Sequence, residues 1–304
     1  MKSPRVLGVG HVSMDHMFEV QTLPTQPLKT PALAYAARMG GMTANACVAA
    51  ARLGATVSFA GPVGDDDAAL RFAHRFADEG IDPLGLIRVL GAASSVSTVI
   101  VDAHGERLIV NHRGSALSSA PPFSDEWLDG ADVLITDPRC PAWAEAALRC
   151  AKARGLLAVL DGDTAPQADL QRLVPLATWA VFSEAGLALF APTMSASQAL
   201  AAAVAAGAEV AVVTLGARGL QWLRAGANVQ AMPAFAVAPV LDTTAAGDVF
   251  HGALAVALAE GRSDGDALRF ASTAAALKCL RREGVLGAPG RVEVDRFFER
   301  ASEP

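Results

Sequence analysis

Residues 195–216 read SASQALAAAVAAGAEVAVVTLG. This is the most apolar run in the chain, and its reading decides the fold. A membrane span needs about 20 consecutive apolar residues. This run is mostly alanine and is broken by Gly207 and Glu209. Its first half suits a helix, and its second half, a β-branched run, suits a buried strand. Helix then strand, not a membrane span, is the expectation.

The same order recurs outward from this run. DVLIT (132–136) reads as a strand, AWAEAALRCAKARG (142–155) as a helix, and LLAVLDG (156–162) and WAVFS (179–183) as strands. Upstream, RVLGVG (5–10) opens as a buried strand. TANACVAAARLG (43–54) is a helix ending at Gly54, and TVSFAG (56–61) a strand. DAALRFAHRFADEG (67–80) is a helix with Asp66 or Asp67 as cap and Gly80 as stop. This βαβ rhythm predicts an α/β chain with a mainly parallel sheet covered by helices on both faces. Two segments break it. Residues 16–38 are proline-rich, and 95–114 alternate polar and apolar residues around an AHGE turn. They are expected to form one small extra sheet at the edge of a single core domain. Such a sheet serves as a lid, as a dimer surface or as a plain β-arm.

The 304 residues, 52% of them apolar, suffice for a sizeable core. A net charge of −6 argues against a general nucleic-acid or membrane-surface binder, while leaving room for a local basic pocket. The four cysteines form no C-x-x-C pair, as expected of reduced cytoplasmic thiols. The N-terminus has a basic start but a short apolar run cut by Asp15, a poor signal peptide. GVGHVSMD (8–15) has G-x-G without the third glycine of a dinucleotide site.

Chemistry concentrates in LDTTAAGDVFHGALAVALAEG (241–261). After Gly247 the run is apolar nearly all round, so it is a buried helix. Its first turn, Ala245 to Asp248, offers backbone N–H groups and a dipole that attract an anion. Small side chains at Ala245, Ala246 and Gly247 let that anion approach. An ionised Asp248 beside it can accept a proton from an attacking hydroxyl. Taken alone, such an acid is more often a helix cap. A second constellation is GGMTANACVAAARLG (40–54). Gly40 and Gly41 permit close backbone approach, and Asn45 offers a donor and an acceptor to a hydroxylated ligand.

In this order the two segments resemble the signatures of the ribokinase-like (PfkB-type) carbohydrate kinases. Gly40, Gly41, Asn45, Arg52, Leu53 and Gly54 match the first signature. Asp242, Thr243, Ala246, Gly247, Asp248, Phe250, Gly252 and Ala253 match the second. GPVGDDD (61–67), DAHGER (102–107) and VVTLGARG (212–219) also look like family segments. The departure is Ala245, where the family usually has glycine. The resemblance implies a three-layer α/β/α fold with a lid, and ATP-dependent phosphoryl transfer to a sugar hydroxyl. Asp248 would be the base and the backbone of Ala245, Ala246 and Gly247 the anion hole. Asp15 would grip sugar hydroxyls with Gly40, Gly41 and Asn45. Ser183, Thr214, Gly216, Gly219 and Ala275 would line the nucleotide. Mg²⁺ would accompany ATP, and Asp242 and Thr244 match the region that holds a monovalent cation such as K⁺ in many members. The usual N-x-x-E falls on SEAG, where Ser183 replaces Asn and Gly186 replaces Glu. Glu184 or Asp161 is then the candidate for the missing carboxylate. A homodimer through the lid is a further implication.

For the acceptor, Lys29, Asn111 and Arg139 stand out as scattered donors on the lid and at the end of a strand. A neutral sugar does not need both Lys and Arg, whereas an anionic substituent does. LDGDTAPQADL (160–170), AVFSEAGLALF (180–190) and RFASTAAALKC (269–279) resemble the bacterial sulfofructose kinases. That resemblance implies transfer to the 1-hydroxyl of 6-deoxy-6-sulfofructose, with Lys29, Asn111 and Arg139 on the sulfonate. His112 and Arg113 beside Asn111 would suit another anion, such as a sugar phosphate. The alternatives are a kinase for a neutral ketohexose, ribose or a ketohexose phosphate, and a non-catalytic sugar-binding regulator.

Overall fold

The computed structural model describes residues 3–104 and 106–300; Gly105 of the AHGE turn lies outside the described residues. From the N-terminus, β1 (Arg5–Val9) leads into an arm of β2 (Ser13–Glu19) and β3 (Ala34–Gly40). Helix α1 (Met42–Arg52) returns the chain to β4 (Thr56–Gly64), and α2 (Asp67–Asp78) precedes β5 (Asp82–Val89). The hairpin β6 (Ser95–Val101) and β7 (Arg107–His112) follows. Then come β8 (Val133–Thr136), α3 (Pro141–Ala153), β9 (Leu157–Gly162), α4 (Gln167–Leu173) and β10 (Trp179–Ser183). Helices α5 (Glu184–Phe190) and α6 (Ala196–Ala206) precede β11 (Val210–Thr214), β12 (Leu220–Arg224) and β13 (Gln230–Met232). The chain ends in α7 (Ala246–Ala259), α8 (Asp264–Cys279) and α9 (Arg291–Arg300).

The main sheet has the order β13-β12-β11-β10-β9-β8-β1-β4-β5 and is parallel from β11 to β5. Strands β1, β4, β8, β9, β10 and β11 are buried on both faces, which is why they read as apolar runs. Val6, Val57, Val133, Val159, Val181 and Val212 face α1, α2, α7, α8 and α9. Leu7, Leu134, Ala158, Leu160, Phe182 and Val213 face α3 to α6. The 195–216 run becomes α6 and β11. Ser195 and Gln198 close a capping box at the start of α6, and Gly207, at φ 131°, ends it.

Three strands lie outside the sequence expectation. β5 contains Asp82, Pro83 and Gly85, poor strand formers, and pairs with β4 through a register shift near Ser58 and Ala60. β12 and β13 form an antiparallel edge whose short strands mix Gln and Arg with apolar residues. The small sheet has the order β3-β2-β6-β7, and its first strands span 13–19 and 34–40, with 20–33 between them irregular. Its register sets Arg38, Asp15, Ser97 and Asn111 in one row across the four strands, side chains on the same face.

Helix α7 lies between the sheet, α1 and α8, and is buried from Val249 to Leu258. It approaches α1 closely at Gly252, where a Cβ would stand 2.2 Å from the Ala46 carbonyl oxygen. It starts from Ala245, which takes the left-handed conformation at φ 62°. A Cβ in that region costs roughly 1–2 kcal/mol. Opposite effects follow at these two positions. Gly252→Ala destabilises by about 1–3 kcal/mol through overpacking against backbone, and Ala245→Gly stabilises by about 1 kcal/mol by removing the Cβ penalty. Urea unfolding of both variants checks the pair of signs.

Candidate active site

The close approach of α1 and α7 brings their N-terminal turns together. Asn45 Nδ2 donates to Asp248 Oδ2 at 2.7 Å, across 203 residues of sequence. The other end of that amide, Asn45 Oδ1, is buried and has no hydrogen-bond partner. A buried orphan acceptor is costly, so it is poised for a donor from a ligand. Gly41 caps α1 at φ 103°, where a Cβ would meet the His11 carbonyl oxygen at 2.5 Å. Asp137, which belongs to no local motif, ties three elements here. Its Oδ2 accepts from His11 N (2.9 Å), Thr43 N (3.2 Å) and Thr43 Oγ1 (2.5 Å), and its Oδ1 from Arg139 N (2.8 Å).

At the head of α7, Val249 N–H bonds the Ala245 carbonyl at 2.9 Å, so the amides of 246–248 precede the first helical donor. Ala246 N–H turns to the Thr243 carbonyl at 3.2 Å. A Cβ built on Gly247 would meet nothing within 4 Å, so an anion has room beside that turn. Burial, reinforced by the charge of Asp161, pushes the Asp248 carboxyl up to about 8, although Asn45 donates to it.

Beneath Asp248 lies a second tier. Burial, with Asp163 and Asp137 adding like charge, holds Asp161 well above the usual carboxylate range. His251 Nδ1 is 2.7 Å from the Gly247 carbonyl and 3.5 Å from Asp161 Oδ2, and burial lowers its affinity for a second proton. Ser183 Oγ donates to Asp163 Oδ1 at 2.7 Å and accepts from Gly186 N at 3.0 Å. Glu184 sits elsewhere, exposed and paired with Arg218 at 2.6 Å. Gly186 cannot be replaced by Glu without backbone movement, because its Cβ would fall 1.9 Å from the Gly162 carbonyl oxygen. Asp163 and His251 are thus site residues without a local sequence signal. The doubled acid of LDGD was the only hint.

The lid supplies the opposite wall. Asp15 Oδ1 accepts from Ser13 Oγ at 2.8 Å, and its Oδ2 occupies the space a Cβ on Gly40 would need. Asp15, Arg38, Gly40, Asn45, Thr244 and Ala245 line one recess of about 30 Å³. A larger open cleft of about 710 Å³ lies outward of it, between Tyr35, Arg38 and the 240–244 loop. The recess gathers Asp15 from the lid and Asn45, the hydrogen-bond partner of Asp248, from α1. Arg38, absent from the sequence expectation, lies 3.8 Å from Glu283.

The three expected anion donors are placed separately. Asn111 Nδ2 bonds Ser97 Oγ at 3.0 Å, in the row that carries Asp15. Arg139 reaches Thr164 Oγ1 at 3.4 Å and lies 3.9 Å from Asp163 Oδ2. Lys29 is exposed on the 20–33 segment and makes no hydrogen bond or ion pair among the described residues. Burial lowers the basicity of His11, with the nearby charges of Arg139 and Arg113 acting in the same direction and Asp137 opposing them. Of the expected nucleotide residues, Ser183 and Thr214 stand side by side at the ends of β10 and β11. Gly216 and Gly219 flank the turn into β12, where a Cβ on Gly219 would collide with the Met232 carbonyl oxygen. Ala275 lies half-buried on α8.

Asp242 organises the approach to α7. Its carboxylate accepts from Thr244 N (2.8 Å) and Gly284 N (3.0 Å) and lies 3.1 Å from Lys278 Nζ. Burial alone would raise this carboxyl; the Thr244 hydroxyl and amide, the Gly284 amide and Lys278 outweigh it and hold it at about 2.

This geometry has relatives. Residues 3–289 match the family described as pfkB family carbohydrate kinase. The ribokinase of Haemophilus influenzae is 32% identical over 303 residues, covering 96% of this chain and 98% of that protein. Fructokinase-1 of Oryza sativa subsp. japonica is 27% identical, covering 86% and 88%. The crystal structure of a provisionally named ribokinase from Agrobacterium tumefaciens is 35% identical and superposes with a TM-score of 0.94 over 100% of both chains. No helix among the described residues is long and apolar enough to cross a membrane. The chain belongs to the pfkB family and is an ATP-dependent carbohydrate kinase.

Proposed function

We propose that this kinase transfers the γ-phosphoryl group of ATP to the 1-hydroxyl of 6-deoxy-6-sulfofructose, with Asp248 as the base. The observation that carries the kinase chemistry is the Asp248 carboxylate held by Asn45 beside the open turn at Gly247. Asp15 and the unpaired Asn45 Oδ1 take sugar hydroxyls from opposite walls of the recess. The acceptor hydroxyl gives its proton to Asp248 late, as a loose phosphoryl transfer allows, while the Gly247 and Asp248 amides serve the transferring group, the Ala246 amide being taken by the Thr243 carbonyl. Thr214, Ser183 and Ala275 serve the nucleotide side.

Mg²⁺ is proposed to arrive with ATP. Among the described residues no cluster of three or more His, Cys, Asp or Glu is arranged to hold a metal. The tier of mutually repelling acids at Asp161, Asp163 and Asp248 nevertheless suits a hydrated divalent ion above it. Asp163, on the Ser183 hydroxyl, is better placed than exposed Glu184 to hold a metal-bound water. When bound, the ion neutralises charge on the phosphates.

Sulfofructose rests on Arg139 at the carboxyl end of β8, where α/β sites form, with Asn111 in the lid row and Lys29 unengaged on the lid. The second reading is a neutral sugar, ribose or a ketohexose, favoured by the ion pair that already engages Arg139 with Asp163 and by the ribokinase and fructokinase relatives. The outer face of the lid presents Tyr35 and Leu108 in the Phe18 register row, with Val110 beside them; their 57%, 41% and 63% exposure supports a homodimer through the lid.

Sedimentation equilibrium should give twice the chain mass, and Val110→Lys should shift it toward the monomer. Asp248→Asn should lower kcat about 10²–10⁴-fold, the usual worth of a positioned base. At limiting nucleotide, the wild-type kcat/KM should rise with pH to a plateau past about 8, and this limb should vanish in Asp248→Asn. A carboxyl raised in the folded state stabilises it at low pH and loses that contribution as pH rises through about 8. Asp248→Asn should therefore gain relative stability in alkaline urea titrations. Arg139→Ala should reduce kcat/KM for sulfofructose about 10- to 100-fold, the loss of a charge-assisted contact, and spare fructose. Equal effects on both sugars would support the neutral acceptor.

A further inference from the structure

The 241–248 loop carries a fixed positive charge. Lys278, in the last turn of α8, has a side chain with 0% exposure. Its Nζ donates to the Asp242 carbonyl at 2.7 Å and lies 3.1 Å from Asp242 Oδ2. A buried ammonium is tolerated only where such partners meet it, and the C-terminal end of a helix favours a cation. The same end of α8 grips the loop through main chain, because the Cys279 carbonyl accepts from Leu241 N (2.8 Å) and Asp242 N (3.4 Å). From Asp242 the chain runs directly through Thr244 into the left-handed Ala245 and the first turn of α7.

A carboxylate beside a main-chain carbonyl is the oxygen donor set that an alkali cation takes, and Asp242 and Thr244 are where the sequence resemblance places one. Here it does not fit. The carboxylate is shared among two amides and an ammonium, and the lysine already stands on both the carboxylate and the carbonyl of Asp242. We infer that the Lys278 ammonium is a built-in substitute for a monovalent cation, which fixes the loop entering the anion-binding turn and frees this kinase from dependence on K⁺ or Na⁺.

The test exchanges tetramethylammonium chloride, too large for the site, for KCl or NaCl at constant ionic strength. Two readouts are followed, the thermal midpoint and sugar-dependent ADP release. Only the second rests on the kinase reading; an absence of ADP release with every sugar would defeat that reading and leave the thermal comparison standing. For wild type neither quantity should change between salts. Lys278→Ala vacates charge and volume together, so its midpoint and turnover should fall in tetramethylammonium and recover with KCl. Lys278→Met removes the charge but keeps the volume, so it should fall without recovery. A several-fold activation of wild type by KCl, or a rise in its midpoint, overturns the inference. So does a folded Lys278→Ala protein whose loss no cation repairs. If Lys278→Ala does not fold, the salt response of wild type decides alone.

Discussion

The site exists because two helices can touch backbone to backbone. Where α7 passes α1, Gly252 faces the Ala46 carbonyl, and small residues on both helices let the axes close. That contact sets how far Asn45 stands from Asp248, and the hydrogen bond between them is the joint of the inner recess. The other walls are referenced to the same joint. Asp137 fixes the start of α1 to the ends of β1 and β8, and Asp242 fixes the entry of α7 to the end of α8. A few buried carboxylates thus replace bulk packing where loops must be held open for ligands.

Charge gives the pocket its second property. Among the described residues, Asp161, Asp163 and Asp248 converge with Arg139, 3.9 Å from Asp163, as the cation at their edge. Burial and like charge make Asp161 and Asp248 resist ionisation until positive charge arrives. His251 is poorly suited to supply it, since burial lowers its affinity for a second proton even though the Gly247 carbonyl pulls the other way. The proposed base, Asp248, therefore becomes most effective when a cation-bearing nucleotide is in place.

Much of this was legible in the sequence, for physical reasons that differ by element. The 195–216 run resolved into α6 and β11 because alanine and β-branched residues separate cleanly at Gly207. β5 was not legible, because Pro83 and Gly85 deny it any local strand preference and only pairing with β4 makes it one. Asp248 and Asn45 stood out because each sits in a local pattern of small residues at a helix start. Asp137, Asp163 and Lys278 did not, since a lone charged residue acquires meaning only from partners far away in the chain. The loss of acid at Gly186 was visible, but its cause was not. Only the fold shows the Gly162 carbonyl where a side chain would begin. Likewise the alanine at position 245 could be noted, while its positive φ had to be seen.

The row of Arg38, Asp15, Ser97 and Asn111 has one more consequence. Neighbouring strands keep a fixed spacing, so Asp15 and Asn111 stand two strands apart, roughly 10 Å. The ladder hydrogen bonds of the sheet hold that separation fixed. On the proposed substrate reading the lid is a caliper: two jaws at a fixed distance gauge the length of an acceptor, whatever charge that acceptor carries.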